Sequence, residues 1–91
     1  MSHTIREKNK LLARVRRIRG QIEAVERALE EEIGCADVLQ LIASVRGATN
    51  GLMAEVLEDH VRLHVADPAL HPDRRRNGAD ELIEVVRTYL R

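Results

Sequence analysis

The chain has 91 residues, 44% of them apolar and 33% charged, with no Trp or Phe and a single Tyr. A chain of this length forms one domain, here residues 1–91, whose small core must be filled by aliphatic side chains, and association with further copies is the expected source of extra burial. No apolar run reaches the length of a membrane span and no signal-like segment follows Met1, so no membrane partner and a cytoplasmic location are expected.

The formal net charge of zero conceals an asymmetry. Residues 1–20 carry Arg6, Lys8, Lys10, Arg14, Arg16, Arg17 and Arg19 against Glu7 alone, a local balance of +6, while the remainder sets eight Arg against fourteen acids. A first helix is expected from about Thr4 to about Glu31, with Thr4 as N-cap and Glu7 three residues on completing a capping box. Its apolar residues Leu11, Val15, Ile18, Ile22, Val25 and Leu29 alternate spacings of four and three, a seam suited to another long helix. Gly34 is the expected terminator, with "GCAD" forming the turn.

The second helix is expected from about Ala36 to Val65. It repeats the pattern with Val38, Ile42, Val45, Thr49, Leu52 and Val56, and Leu39, Leu41, Met53 and Leu57 widen the apolar surface so that it can face more than one neighbour. Gly47 and Gly51 each cost ~1 kcal/mol relative to Ala inside a helix, and their spacing suits the close approach of another backbone. The stretch "ADPALHPDRRRNGAD" contains both prolines and reads as a loop, after which Asn77 or Asp80 caps a short third helix ending near Leu90. The expected fold class is all-α: a three-helix unit with two long antiparallel helices and a short third, dimerising into a four-helix core.

Three residues draw attention for their chemistry. His60 and His64, in "HVRLH", stand four apart and share a helix face, where they either close on one metal ion or sit side by side in water. The lone Cys35 makes no intramolecular disulfide, which leaves a buried thiol, a metal ligand, a reactive thiol or an intermolecular bridge. Cys35 and His60 lie 25 positions apart along one helix, ~37 Å at ~1.5 Å per residue, so they cannot meet within one chain. In an antiparallel dimer the start of one second helix lies beside the end of the other, and the three donors converge across the interface. Imidazole with thiolate suits nickel, cobalt and zinc, and His3 or the terminal amine can add donors. His71, in the loop, reads as surface.

Lys10, Arg14 and Arg17 follow one another at i, i+4 and i+7 away from the seam, with Arg6 preceding them and Arg16 adjacent. Such a ridge is either a solvated face or a phosphate-binding surface for duplex DNA; without an aromatic platform or a helix-turn-helix unit, recognition would run through backbone and shape. No nucleophile is paired with a base and no cofactor loop is present, which argues against an enzyme.

The segments "RVRRIRGQIEAVERALE" and "CADVLQLIASVRGATNGLMAEVLEDH" resemble the CsoR/RcnR/FrmR family of small helical transcriptional repressors over essentially the whole chain. The resemblance implies dimers that pair into homotetramers, hold double-stranded operator DNA when empty and release it on binding an effector. The opening "MSHTIREK" with His3, Cys35, His60 and His64 is similar to the nickel and cobalt sensors of the family, which implies Ni(II) or Co(II) as effector, with Zn(II) as a further possible ion, control of metal efflux genes, and Lys10, Arg14, Arg16 and Arg17 as DNA-binding residues. His64 stands where copper sensors carry a cysteine, and the second cysteine of persulfide sensors is missing. Two rival readings stand beside this one: a formaldehyde-responsive repressor using Cys35 and the terminal amine, although residue 2 is Ser rather than Pro, and a cytosolic metal-binding protein.

Overall fold

The computed structural model describes residues 7–90. Three helices follow in chain order: α1 over Lys8–Glu30, α2 over Cys35–His64 and α3 over Pro72–Tyr89, with no strand among the described residues. The described residues divide into two compact units, 7–53 and 54–90, and α2 runs from one into the other.

In the first unit, α1 and the first part of α2 form an antiparallel hairpin. Arg14 and Gly51, about equally far from the turn on either side, lie against one another. The expected Thr4 cap lies outside the described residues; α1 begins at Lys8 with Glu7 at the N-cap position and no side-chain cap hydrogen bond. The turn departs from the expectation that Gly34 ends α1. The left-handed residue is Glu32, with φ 54°. Its N–H donates to the Leu29 carbonyl at 3.2 Å, and that of Ile33 to the Ala28 carbonyl at 3.1 Å. This crossed pair is a Schellman motif, which satisfies carbonyls that the helix end leaves open. Gly34 instead opens α2, its carbonyl accepting from Asp37 at 3.0 Å and Val38 at 3.1 Å.

The covered side of α2 in this unit is the row Val38, Leu41, Val45, Ala48 and Leu52, all half-buried, which is not quite the expected seam. Thr49 turns its hydroxyl back onto the Val45 carbonyl at 2.8 Å, the usual recourse of a mid-helix threonine, and stays exposed. Among the described residues only two apolar side chains are buried, Leu11 and Ala28. Val15, Ile22 and Leu29, seven apart on α1, are exposed, as are Leu39 and Ile42 on α2. Half of the predicted seam therefore looks outward.

In the second unit, the end of α2 meets α3 through a compact connection. Asp67 organises it: its Oδ1 accepts from the Ala69 N–H at 2.9 Å, and its carbonyl accepts from Leu70 N–H at 3.1 Å and Arg75 Nη2 at 3.0 Å. Here the sequence expectation of a loop through Asp80 is overturned. α3 starts at Pro72, with His71 as N-cap and its Nδ1 accepting from the Asp73 N–H at 3.2 Å. Proline at the first helical position sacrifices no hydrogen bond, and its ring presets φ for the helix, so "PDRRRNG" becomes the first two turns. Neither Asn77 nor Asp80 is a cap. The covered row is Arg75, Gly78, Leu82 and Val85, while Ile83, Val86, Tyr89 and Leu90 remain exposed.

A non-glycine residue in the left-handed region costs roughly 1–2 kcal/mol, part of which glycine returns as backbone entropy. Glu32→Gly is therefore expected to stabilise the protein by about 1 kcal/mol. Urea denaturation at fixed protein concentration reads this as a rise in midpoint with an unchanged slope; a fall would show that the Glu32 side chain contributes more than its backbone conformation costs.

Candidate metal centre and nucleic-acid interface

The C-terminal end of α2 carries "EDHVRLH". Helical periodicity places His60 and His64 one turn apart, and both are half-buried, with ring centroids 5.0 Å apart and planes inclined at 40°. The acids beside them are tied by Arg62, whose guanidinium lies 3.8 Å from the Glu58 carboxylate and 3.7 Å from that of the buried Asp59. A recess of about 550 Å³ beside His64 is lined in part by Arg74, Asn77, Gly78 and Glu81.

His60 Nε2 lies 2.9 Å from the carbonyl oxygen of Gly78. A carbonyl only accepts, so the contact assigns the ring proton to Nε2 and makes Nδ1 the electron-pair donor of the neutral imidazole. Metal-binding histidines commonly have this arrangement, the second nitrogen held by a backbone carbonyl that fixes tautomer and ring plane. The spacing also fits. With metal–nitrogen bonds of about 2.0–2.1 Å, two imidazoles at tetrahedral or right-angle positions on one ion have centroids roughly 4.5–5 Å apart.

Cys35 is the first residue of α2 and is exposed, at the opposite end of the helix from the histidine pair. Among the described residues no three His, Cys, Asp or Glu side chains gather as a metal site. A single chain thus brings together two of the four expected ligands, His60 and His64, and leaves Cys35 remote. His3 lies outside the described residues.

The basic residues of α1 do not form the uniform ridge expected from spacing. Lys10, Arg16 and Arg17 are exposed, but Arg14 is half-buried, its Nη1 3.3 Å from where a β-carbon on Gly51 would stand. Within one chain Gly51 makes room for a guanidinium, and no backbone approaches either Gly47 or Gly51. Gly47 has nothing within 4 Å of its would-be β-carbon. The glycine that does receive a backbone is Gly78, which the loop reading passed over. The "HP" step that starts α3 was the available signal for it, because it extends the helical period Arg75, Gly78, Leu82, Val85 backwards through the arginine run.

The fold is thus that of a small all-helical protein with a basic first helix and a histidine pair at the end of its second. A family model described as metal-sensitive transcriptional repressor matches residues 7–88. The chain belongs to this family, the CsoR/RcnR group of transcriptional repressors, which are not enzymes and whose members bind DNA as oligomers. It is 57% identical over 91 residues, all of both chains, to an uncharacterized protein of the bioA 5′ region of Serratia marcescens. It is 44% identical, again over the full length of both, to the transcriptional repressor RcnR of Salmonella paratyphi B. Among solved structures it matches a glutamate-to-histidine variant of the formaldehyde-responsive regulator FrmR from Salmonella enterica serovar Typhimurium, with 48% identity and a TM-score of 0.84 over 92% of this chain and 94% of that one. No described helix is long and apolar enough to cross a membrane.

The different settings of Arg14 and Arg17 are open to measurement. Arg17→Ala is expected to weaken DNA binding across sequences and to lower the salt slope of log affinity by about 1, one phosphate contact. Arg14→Ala is expected to lower thermal stability in addition, because its side chain packs on α2. Equal behaviour of the two variants in both measurements would make Arg14 an ordinary surface charge.

Proposed function

We propose that this protein is a metal-responsive repressor that occupies operator DNA while metal-free and leaves it on binding Ni(II) or Co(II), so that metal efflux genes are expressed. The observation that carries this reading is the His60–His64 pair with His60 Nε2 engaged by the Gly78 carbonyl, which makes Nδ1 the electron-pair donor of the neutral ring. Cys35 of one protomer joins His60 and His64 of its partner, and His3 completes the set. A divalent ion there supplies the bond that links donors from two chains. Similarity to RcnR supports this assignment, and the exposed row Val15, Ile22 and Leu29 supports a dimer, pairing further into a tetramer, in which residues 1–91 act as a single domain.

The coupling to DNA follows from chain connectivity. His3 stands a few residues ahead of the helix bearing Lys10, Arg14, Arg16 and Arg17, so a donor recruited at the terminus is continuous with the DNA-binding surface. Coupling free energies of this kind are ~1–3 kcal/mol, a roughly 5- to 150-fold change in affinity. Six-coordinate Ni(II) or Co(II) calls on both His3 and the terminal amine beside the three core donors, whereas tetrahedral Zn(II) needs only one donor more, draws less on the terminus and is a weaker effector.

A second reading is favoured by the similarity to the formaldehyde-responsive FrmR. In it, Cys35 and the terminal amine condense with formaldehyde, joined by a methylene with loss of water, and the histidines are supporting groups.

Cys35→Ala is expected to abolish release by nickel while leaving operator affinity of the metal-free protein within about twofold, since substitutions at exposed sites away from a binding surface have small effects. Cobalt-loaded wild type should show a sulfur-to-metal charge-transfer band that the variant lacks. Retained nickel response in the variant would remove Cys35 from the site. Mass spectrometry of metal-free protein after formaldehyde treatment separates the rival: a net gain of one carbon bridging Cys35 and the terminal amine, with DNA release, would establish it.

A further inference from the structure

Both histidines of the pair touch one residue of α3. Gly78 is the only buried residue of that helix. A β-carbon there would collide with the His64 carbonyl oxygen, and would stand 2.7 Å from the His64 carbonyl carbon and 3.0 Å from its Cβ. Its own carbonyl receives the His60 Nε2–H at 2.9 Å. Glycine weakens a helix interior, and here its lack of a side chain is what lets α3 press its backbone onto the last turn of α2. The N-terminal turns of α3 are held alongside by the His71 cap and by Arg75 on the Asp67 carbonyl.

We propose that Gly78 is a positioning residue for the histidine pair, and that seating of α3 and the ligand-ready state of His60 form one equilibrium; the proposal rests on the metal reading of His60 and His64. With α3 seated, the Gly78 carbonyl holds the proton on Nε2 and Nδ1 keeps its lone pair. With α3 lifted, that acceptor is lost and the ring exchanges freely between its two tautomers and rotates, so Nδ1 is no longer held toward one direction with its lone pair. Donation from Nδ1 to a cation draws density from the ring and makes Nε2–H a better donor, so ligation and seating reinforce each other, as linkage requires. α3 thereby becomes part of the effector response although it supplies no ligand.

The test uses the full chain. Nitrogen NMR of histidine-labelled, metal-free protein under mildly alkaline conditions is expected to show His60 protonated at Nε2. Amide exchange across residues 78–85 is expected to slow on adding cobalt. In the metal-free state it should be close to wild type in His60→Gln, whose amide nitrogen can replace Nε2, and faster in His60→Asn, whose shorter amide cannot reach. Gly78→Ala is expected to weaken cobalt binding by roughly 10- to 100-fold, the usual effect of losing an outer partner of a ligand. If Gly78→Ala does not fold, the tautomer and the His60 pair still decide. An Nδ1–H tautomer in the metal-free protein, or equal α3 exchange in the Gln and Asn variants, overturns the role of Gly78 even if cobalt binds with its thiolate band. An Nε2–H tautomer together with faster α3 exchange in the Asn than in the Gln variant, in protein that takes up no cobalt, upholds the contact and overturns the metal reading beneath it.

Discussion

Burial within a single copy of this chain stops short. Leu11 and Ala28 are its only buried apolar side chains among the described residues, while Leu29 and Leu39 each keep 60% of their surface and Ile22 keeps half. At about 25 cal/mol per Å² of apolar surface removed from water, aliphatic rows left this open are where a helical protein has most to gain by association. Exposed apolar rows at heptad spacing are surfaces waiting for another helix, and the family to which the chain belongs is oligomeric. The copy number of the assembly and the integrity of the protomer are consequently not separate questions.

The same dependence governs the chemistry. α2 is a 30-residue helix with a potential sulfur ligand at its first residue and imidazoles one turn apart at its end. Twenty-five helical positions separate Cys35 from His60, so a site built from these donors would call for a second chain running the other way. Were these donors one ligand set, ion binding would report on assembly as well as on the ion. The Gly78 carbonyl adds a further layer, because it gives His60 a defined tautomer from a helix that contributes no ligand of its own.

Much of this was legible in the sequence, for reasons that differ by element. The two long helices follow from a one-dimensional period that survives any tertiary context, and their bounds came within a few residues of those observed. The histidine pair and the remoteness of Cys35 are likewise matters of spacing. What the sequence did not disclose depends on contact. Arg14 and Arg17 are equivalent by spacing, and only the neighbouring Gly51 separates them. Two prolines and a glycine within one stretch usually mean a loop, whereas Pro72 opens a helix and Gly78 admits a carbonyl. A left-handed cap is normally glycine, so spacing alone points to Gly34, two residues beyond the Glu32 that adopts it.

The contact between Gly78 and the His64 backbone also limits how α3 can move. Arg74, Arg75, Glu81 and Leu82, one turn away on either side, all carry β-carbons, so sliding the helix by a turn would set one of them against the carbonyl that Gly78 accommodates. A tilt about the contact keeps Gly78 in place, and it would carry the exposed Val86 and Leu90, farther along α3, through a larger arc than the residues beside the histidines.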